Sequence, residues 1–341
     1  MKKFLVPKPY SGGLILSYKC SGECKHCMYF GSPKWNANWM DEKELEKTLR
    51  ILSNFIASSP YGSNNVSLNN GLHFTGGEPF LNFNLLKKGI EFGKELKIPS
   101  VFVETNCFWC IDDDLTRERL LELKQKGLNG ILISVNPFIL EYVPFDRTER
   151  AIRISHEIFE SNVMIYQLYY YFQFQKLKIK DKLPINDYLK KISIYDLKRK
   201  VELFRMGRAA YKLHMIHEKF PIDYFLNENC SIELVRGWHC HFDNFGNYIP
   251  GYCGGLSWGN VESIEKLSSE GVNLENYPVL DALINRKIQD LYYLAVNKFD
   301  YEKMKDGYVS KCHLCFDIRK KIVMQTNKFK ELQPQEFYLH T

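Results

Sequence analysis

Through the first two thirds of the chain, short apolar runs alternate with longer stretches in which apolar residues recur every three to four positions. The short runs are Leu14–Tyr18, Gly71–Thr75, Val101–Thr105, Ile131–Val135, Val163–Leu168 and Val201–Met206. They are rich in β-branched and aromatic residues and predict six strands. Between them the helical spacing is clearest where Leu45, Leu49, Leu52 and Ile56 follow Asp41, a residue suited to cap the helix start. A second helix is expected over about 84–96. A third begins after Asp112–Asp114, whose charges suit a helix N-terminus, and ends at Gly127. Two more cover about 146–159 and 187–200. Strand–helix alternation of this kind predicts a parallel sheet with crossover helices. Six strands do not close an eight-stranded barrel, so the expected fold is α/β, a partial (β/α)6 barrel.

After about Phe220 the alternation stops. The stretch from Cys230 to Asn260 is rich in Gly, Asn, aromatics and Cys, with turn formers at Asn244–Asn247 and Pro250-Gly251. A helical segment follows near 280–296, then a second cysteine group. The expected organisation is a barrel over 1–215 and a small loop-rich module over 216–341. A module of that size builds little apolar core alone, and a metal would compensate.

Composition narrows the classes. Hydrophobic residues at 45% and charged residues at 25% are ordinary globular values, which excludes a disordered or fibrous chain. The 46 basic and 40 acidic residues leave +6, scattered over predicted helix faces, and no RNA-binding motif is present. Nothing therefore points to nucleic acid. No apolar run reaches the roughly 18–20 residues of a membrane span; the densest, Val163 to Phe174, contains Gln167. The N-terminal MKKFLVPKPYSGG has charge but no apolar core or cleavage site, so no export signal is expected there. Ten cysteines without such a signal suggest metal or redox chemistry in the cytoplasm rather than a disulfide scaffold.

Cys20, Cys24 and Cys27 form C-x3-C-x2-C directly after the first strand. Three thiolates on one loop can hold three corners of a cuboidal iron–sulfur cluster and leave the fourth iron open, whereas structural zinc normally takes four ligands. A zinc knuckle completed from elsewhere, or incidental cysteines, is the alternative. Further on, His73-Phe74-Thr75-Gly76-Gly77-Glu78-Pro79 runs off the second strand. Its two glycines allow close backbone approach, and its carboxylate can accept from an ammonium.

Together these segments resemble the radical S-adenosylmethionine (radical SAM) superfamily. The resemblance rests on Cys20-Ser21-Gly22-Glu23-Cys24-Lys25-His26-Cys27 and on the Gly76-Gly77-Glu78 turn. It implies a [4Fe–4S] cluster on Cys20, Cys24 and Cys27 whose open iron chelates SAM, and Gly76, Gly77 and Glu78 around the SAM amino group. Reductive cleavage of SAM to a 5′-deoxyadenosyl radical is implied with them. His26 stands where the family usually has an aromatic ring. Thr105-Asn106-Cys107 resembles the family's TNG turn, Ser134 and Asn136 end the fourth strand where SAM contacts often lie, and Arg205–Ala209 resembles its GRA segment. Asn106, Ser134, Asn136 and Arg208 are the implied further SAM contacts.

The second group, Cys240, Cys253, Cys312 and Cys315, reads C-x12-C, a gap of 58 residues, then C-x2-C. Asp243–Pro250 predicts a hairpin returning Cys253 toward Cys240. Four thiolates can close a zinc site. The arrangement also resembles the Twitch module, the shortened relative of the SPASM domain, which implies one auxiliary [4Fe–4S] cluster used for electron transfer. Cys107 and Cys110 are a redox pair, a hydrogen-atom donor, part of another metal site, or two buried packing residues. The aromatic run Tyr166–Tyr171 either lines a substrate cavity or packs.

The resemblance implies hydrogen abstraction from a substrate and oxidation through the auxiliary cluster, with flavodoxin or ferredoxin as the kind of electron donor. A peptide or protein side chain is the favoured substrate, since Twitch and SPASM modules often accompany such substrates. The 19 residues before Cys20 weigh against a fused leader-binding domain. A dehydrogenase of a small metabolite is the second reading, and a metal-binding scaffold without catalysis the third.

Overall fold

A computed structural model describes residues 3–36 and 38–341. The chain folds as two compact units. A sheet unit comprises Pro9–Cys24 and Gly31–Glu202; a C-terminal unit comprises residues 3–8, Lys25–Phe30 and Leu203–Thr341. The last passage from one to the other falls at Glu202–Leu203, against an expected boundary near 215.

The sheet unit is α/β. Strands β1 (Ser11–Ile15), β2 (Gly71–Thr75), β3 (Phe102–Thr105), β4 (Gly130–Ser134) and β5 (Val163–Tyr166) lie in the order β5-β4-β3-β2-β1 and are all parallel. β1 and β2 are buried along their whole length, as parallel strands covered on both faces must be. Helices Glu42–Leu52, Phe83–Glu95, Asp113–Lys126 and Phe145–Phe159 make the crossovers. Their ends follow local chemistry. Asp41 accepts from Lys43 N–H at 2.9 Å and Asp112 from Leu115 N–H at 2.7 Å. Gly127 takes the left-handed turn at φ +121° that ends the third helix. On one sheet face Phe102 and Leu132 pack with Val66, Met164 and Tyr166.

The sixth expected strand, Val201–Met206, is absent; the described sheet unit has five parallel strands. A side chain has taken the place of a neighbouring strand. The buried Gln167 amide donates to Glu202 O at 2.6 Å and accepts from Glu202 N–H at 3.1 Å, satisfying both backbone groups that a ladder would have used. The fifth strand also stops at Tyr166, and Leu168–Lys176 is a helix. The helix expected over 187–200 is two short ones, Ile185–Tyr188 and Ile194–Lys200.

In the C-terminal unit, β6 (Cys240–Phe242) and β7 (Tyr248–Ile249) form the expected hairpin. Asp243 accepts from Phe245 N–H and Asn247 N–H at 3.0 and 2.9 Å, and Gly246 turns at φ +76°. The helical segment near 280–296 is a pair, Pro278–Ile284 and Ile288–Phe299. The C-x2-C lies on the first turns of a 15-residue helix, Lys311–Gln325, capped by Ser310 and packed against Ile288–Phe299. Its buried positions include His313 and Arg319 among apolar residues, so it shows no clean apolar stripe. The unit is therefore more helical than the loop-rich module expected. No helix among the described residues is long and apolar enough to cross a membrane.

Candidate functional site

The C-terminal ends of the parallel strands form a tight corner. Gly77 N–H donates to Ser17 O at 2.8 Å and Glu78 N–H to Lys19 O at 2.9 Å, so the exit of β2 is bonded along the exit of β1. The glycines are dictated by this contact. A Cβ on Gly76 would lie 2.3 Å from Ser17 O, and one on Gly77 would lie 1.8 Å from Lys19 O. Cys20 follows at once, its N–H bonded to Ser32 O at 3.2 Å. Cys20 and Cys24 are buried. Gly22 packs on the Tyr142 ring, and Tyr142 donates to Glu23 O at 3.2 Å, fixing the loop between the two cysteines.

Glu78 is buried and braces the corner. Oε1 accepts from Thr105 Oγ1 at 2.9 Å, and Oε2 accepts from Asn106 N–H at 2.8 Å. Burial pushes its carboxyl up to about 7, against the pull of hydrogen bonds from Asn106, Thr105 and Phe80; the charge of Glu104 adds to the rise. The Asn106 amide donates in turn to Ser21 Oγ at 3.0 Å and reaches Cys20 Sγ at 3.7 Å. Three strand ends, those of β1, β2 and β3, are thus linked through Glu78 and Asn106. Ser134 ends β4, and the Asn136 Oδ1 caps the short helix Pro137–Leu140, accepting from Phe138 and Ile139 N–H at 3.0 and 3.1 Å.

Cys107 and Cys110 are fully buried. Burial, then Cys110 and Glu78, push the Cys107 thiol well above its ordinary range. Beside them Trp109 donates to Thr105 Oγ1 at 3.0 Å and stacks on Phe80 at 4.0 Å.

In the C-terminal unit, the segment Lys25–Phe30 carries Cys27. Arg208 N–H donates to Cys27 O at 2.9 Å, and Gly207 at φ +57° packs so closely that a Cβ would lie 2.5 Å from Met28 Cα. The Arg208 guanidinium is buried and lies over the Phe30 ring at 5.7 Å. Burial and this cation hold His26 down to about 4.

The same unit contains a cavity lined by Cys230, Cys253, Cys312 and Cys315, with Met28 and Phe30 also on its wall. Cys240, in the expected ligand set, is not among the lining residues. Its thiol lies 3.4 Å from Arg236 O and 3.4 Å from the Tyr248 hydroxyl across the hairpin, and that hydroxyl donates to Pro7 O at 2.9 Å. Cys230 stands in its place, its N–H tied to Leu283 O at 2.8 Å. Burial pushes the thiols of Cys253 and Cys312 up to about 11 and 12, and raises Cys230 too, its three cysteine neighbours adding to the rise. Four thiols that line one cavity and are costly to ionise without a cation are the donor type that a thiolate metal centre uses. Beside Cys315 on the same helix lies buried Arg319, its Nε without a hydrogen-bond partner. A buried cation fits the negative charge such a centre would carry.

Sequence reading left Cys230 open as a replacement for one of the four and did not single out Arg319. Nothing in the spacing separates Cys230 from Cys240. The run Cys312-x2-Cys315-x3-Arg319, read as a helix, would have put all three residues on one face.

No protein-family model matches this chain, and no curated protein matches it in sequence. Among solved structures, native anSMEcpe with bound AdoMet aligns at a TM-score of 0.47 and 13% identity, over 93% of this chain and 98% of that one. BtrN in complex with AdoMet and 2-DOIA aligns at 0.44 and 15%, over 82% and 88%.

Proposed function

We propose that this chain is a radical SAM enzyme. The observation that carries the reading is the corner at the strand ends. There a Gly-Gly-Glu exit is hydrogen-bonded along the strand that leads into the C-x3-C-x2-C loop, and Asn106 reaches both Glu78 and Cys20. Cys20, Cys24 and Cys27 would hold a [4Fe–4S] cluster with one open iron. Gly76, Gly77 and Glu78 would offer backbone and carboxylate acceptors to the SAM ammonium, with Ser134 and Asn136 at the end of β4 as further contacts and Arg208 for the SAM carboxylate. When bound, the reduced cluster would supply the one electron that breaks the S–C5′ bond of SAM, leaving methionine and a 5′-deoxyadenosyl radical able to take hydrogen from substrate. The chain's own part is to brace the loop through Asn106 and Tyr142.

Cys230, Cys253, Cys312 and Cys315 would hold one auxiliary [4Fe–4S] cluster. Four cysteine ligands leave no iron open, so its role is to pass electrons, with flavodoxin or ferredoxin as outside donor. A peptide or protein side chain is the substrate class we assign, on the likeness of the module to Twitch and SPASM sequences.

The test is anaerobic reconstitution with iron and sulfide. Wild type should bind about eight irons and release 5′-deoxyadenosine from SAM with dithionite. Cys24→Ala should release none. Undiminished cleavage by that variant would overturn the assignment.

A further inference from the structure

The four-cysteine cavity holds one group that the ligand set does not use. Arg319 lines it, on helix Lys311–Gln325, four residues after Cys315 and seven after Cys312, along one helix face. Its side chain is 5% exposed. One guanidinium nitrogen, Nη1, donates to Gly254 O at 3.2 Å and to the Tyr338 hydroxyl at 2.8 Å, and the group lies 5.4 Å from the Phe316 ring centre. Nε–H is buried and has no partner. Burial opposes the charge, and the groups that favour it are Tyr338, Cys315 and Cys253, Cys315 also through a side-chain hydrogen bond, with no carboxylate among them. A guanidinium keeps its charge at any working pH, so this cation is held beside cysteines rather than beside an acid.

The surroundings fix it there. Tyr338 passes the contact on to Gly255 O. The Cys253-Gly254-Gly255 turn is pressed against the C-terminal aromatics; a Cβ on Gly254 would lie 2.4 Å from the Phe337 ring. Arg319 therefore touches both the turn carrying Cys253 and the helix carrying Cys312 and Cys315.

We propose that Arg319 is a tuning residue: its Nε–H donates to a sulfur of the group held by Cys230, Cys253, Cys312 and Cys315, and its charge raises that group's reduction potential. The inference rests on reading the cavity as an iron–sulfur site. Reduction adds one negative charge, and a fixed cation and a hydrogen bond to sulfur both favour the more negative state. Arg319 would thereby make the auxiliary cluster a better electron acceptor.

The test uses the full chain with Cys20, Cys24 and Cys27 all changed to Ala, reconstituted with iron and sulfide and titrated with dithionite under electron paramagnetic resonance. Adding Arg319→Met should shift the reduced-to-oxidised ratio at fixed potential at least tenfold toward oxidised, or 59 mV for a one-electron couple. Arg319→Lys, which keeps the charge and loses Nε–H, should fall between. Should the Met variant fail to fold, labelling the triple variant with guanidino-15N arginine decides the matter, since a nitrogen hyperfine coupling to the reduced cluster is then expected. An unmoved potential, or no such coupling, overturns the role of Arg319 and leaves the cluster standing. Zinc instead of iron in the triple variant overturns the cluster reading and this inference together.

Discussion

The corner at the strand ends and the four-cysteine cavity are held by opposite means. Backbone bonds between neighbouring parallel strands make the corner, with Gly77 and Glu78 bonded to Ser17 and Lys19 and a carboxylate locking the third strand on. Every one of these bonds is made by the chain itself. The cavity is drawn from segments around residues 230, 253 and 312–315, its thiols held neutral by burial and its cation lacking an acid. One site is preorganised by secondary structure; in the other, on the reading proposed above, a metal centre would take up the thiols and the unpartnered Arg319 Nε–H. Metal dependence should therefore divide the molecule.

The largest effect should come from removing the metal. Hydrogen exchange on iron-free protein should show protection retained in β1 to β4 and lost around Cys230, Cys253 and the first turns of Lys311–Gln325, because metal binding in such a module is folding free energy. Equal loss in both units would erase the contrast. Next in size is the choice of ligand. Cys230→Ser should lower bound iron to about half, or about four of eight irons, whereas Cys240→Ser should keep nearly all of it. The reverse result would restore the hairpin cysteine as the ligand.

Gly77→Ala tests the corner without touching a cysteine. The new methyl would meet Lys19 O at 1.8 Å, and backbone cannot yield as a flexible side chain would. A loss of about 3 kcal/mol in chemical denaturation of iron-free protein is expected. The smallest effect concerns Glu78. Burial raises its carboxyl from the ordinary 4.5 to about 7, so the folded state binds the extra proton. Its contribution to stability is full below about 4.5 and is lost as pH rises to about 7, by at most about 3 kcal/mol. Buried His73 and His313, held down to about 3 and about 4 chiefly by burial, act with the opposite sign. The check is consequently the difference between wild type and Glu78→Gln, which should fall across that window. A flat difference would mean that Glu78 is charged in the fold throughout.

Sequence reading and structure agree where a local rule was sufficient. Gly71–Thr75 is a strand with the same limits, and Asp112 and Gly127 bound their helix as capping chemistry requires. The Gly-Gly-Glu turn stood out because close packing admits no other residue at Gly77. Disagreement arose where a distant partner decided. Val201–Met206 has strand composition, yet its pairing groups meet the amide of Gln167, 35 positions earlier. Of the five cysteines after residue 229 four line one cavity, and the fifth, Cys240, meets the Tyr248 hydroxyl across the hairpin, which no spacing foretells. Arg319 breaks the apolar pattern of its helix, which hid both the helix and the charge it brings to the cavity.

The close approach of Gly207 to Met28, with Arg208 bonded to Cys27 O, also bears on the order of biosynthesis. The three cysteines of the first loop leave the ribosome early, but the surface that fixes the third of them lies about 180 residues downstream. At about 5–20 residues per second that is a delay of roughly 10–35 s. During this interval the nascent chain presents Cys27 without its final backbone partner. The backbone of Cys27 is accordingly fixed late, and a chain truncated before Gly207 would carry all three cysteines without the segment that holds the third.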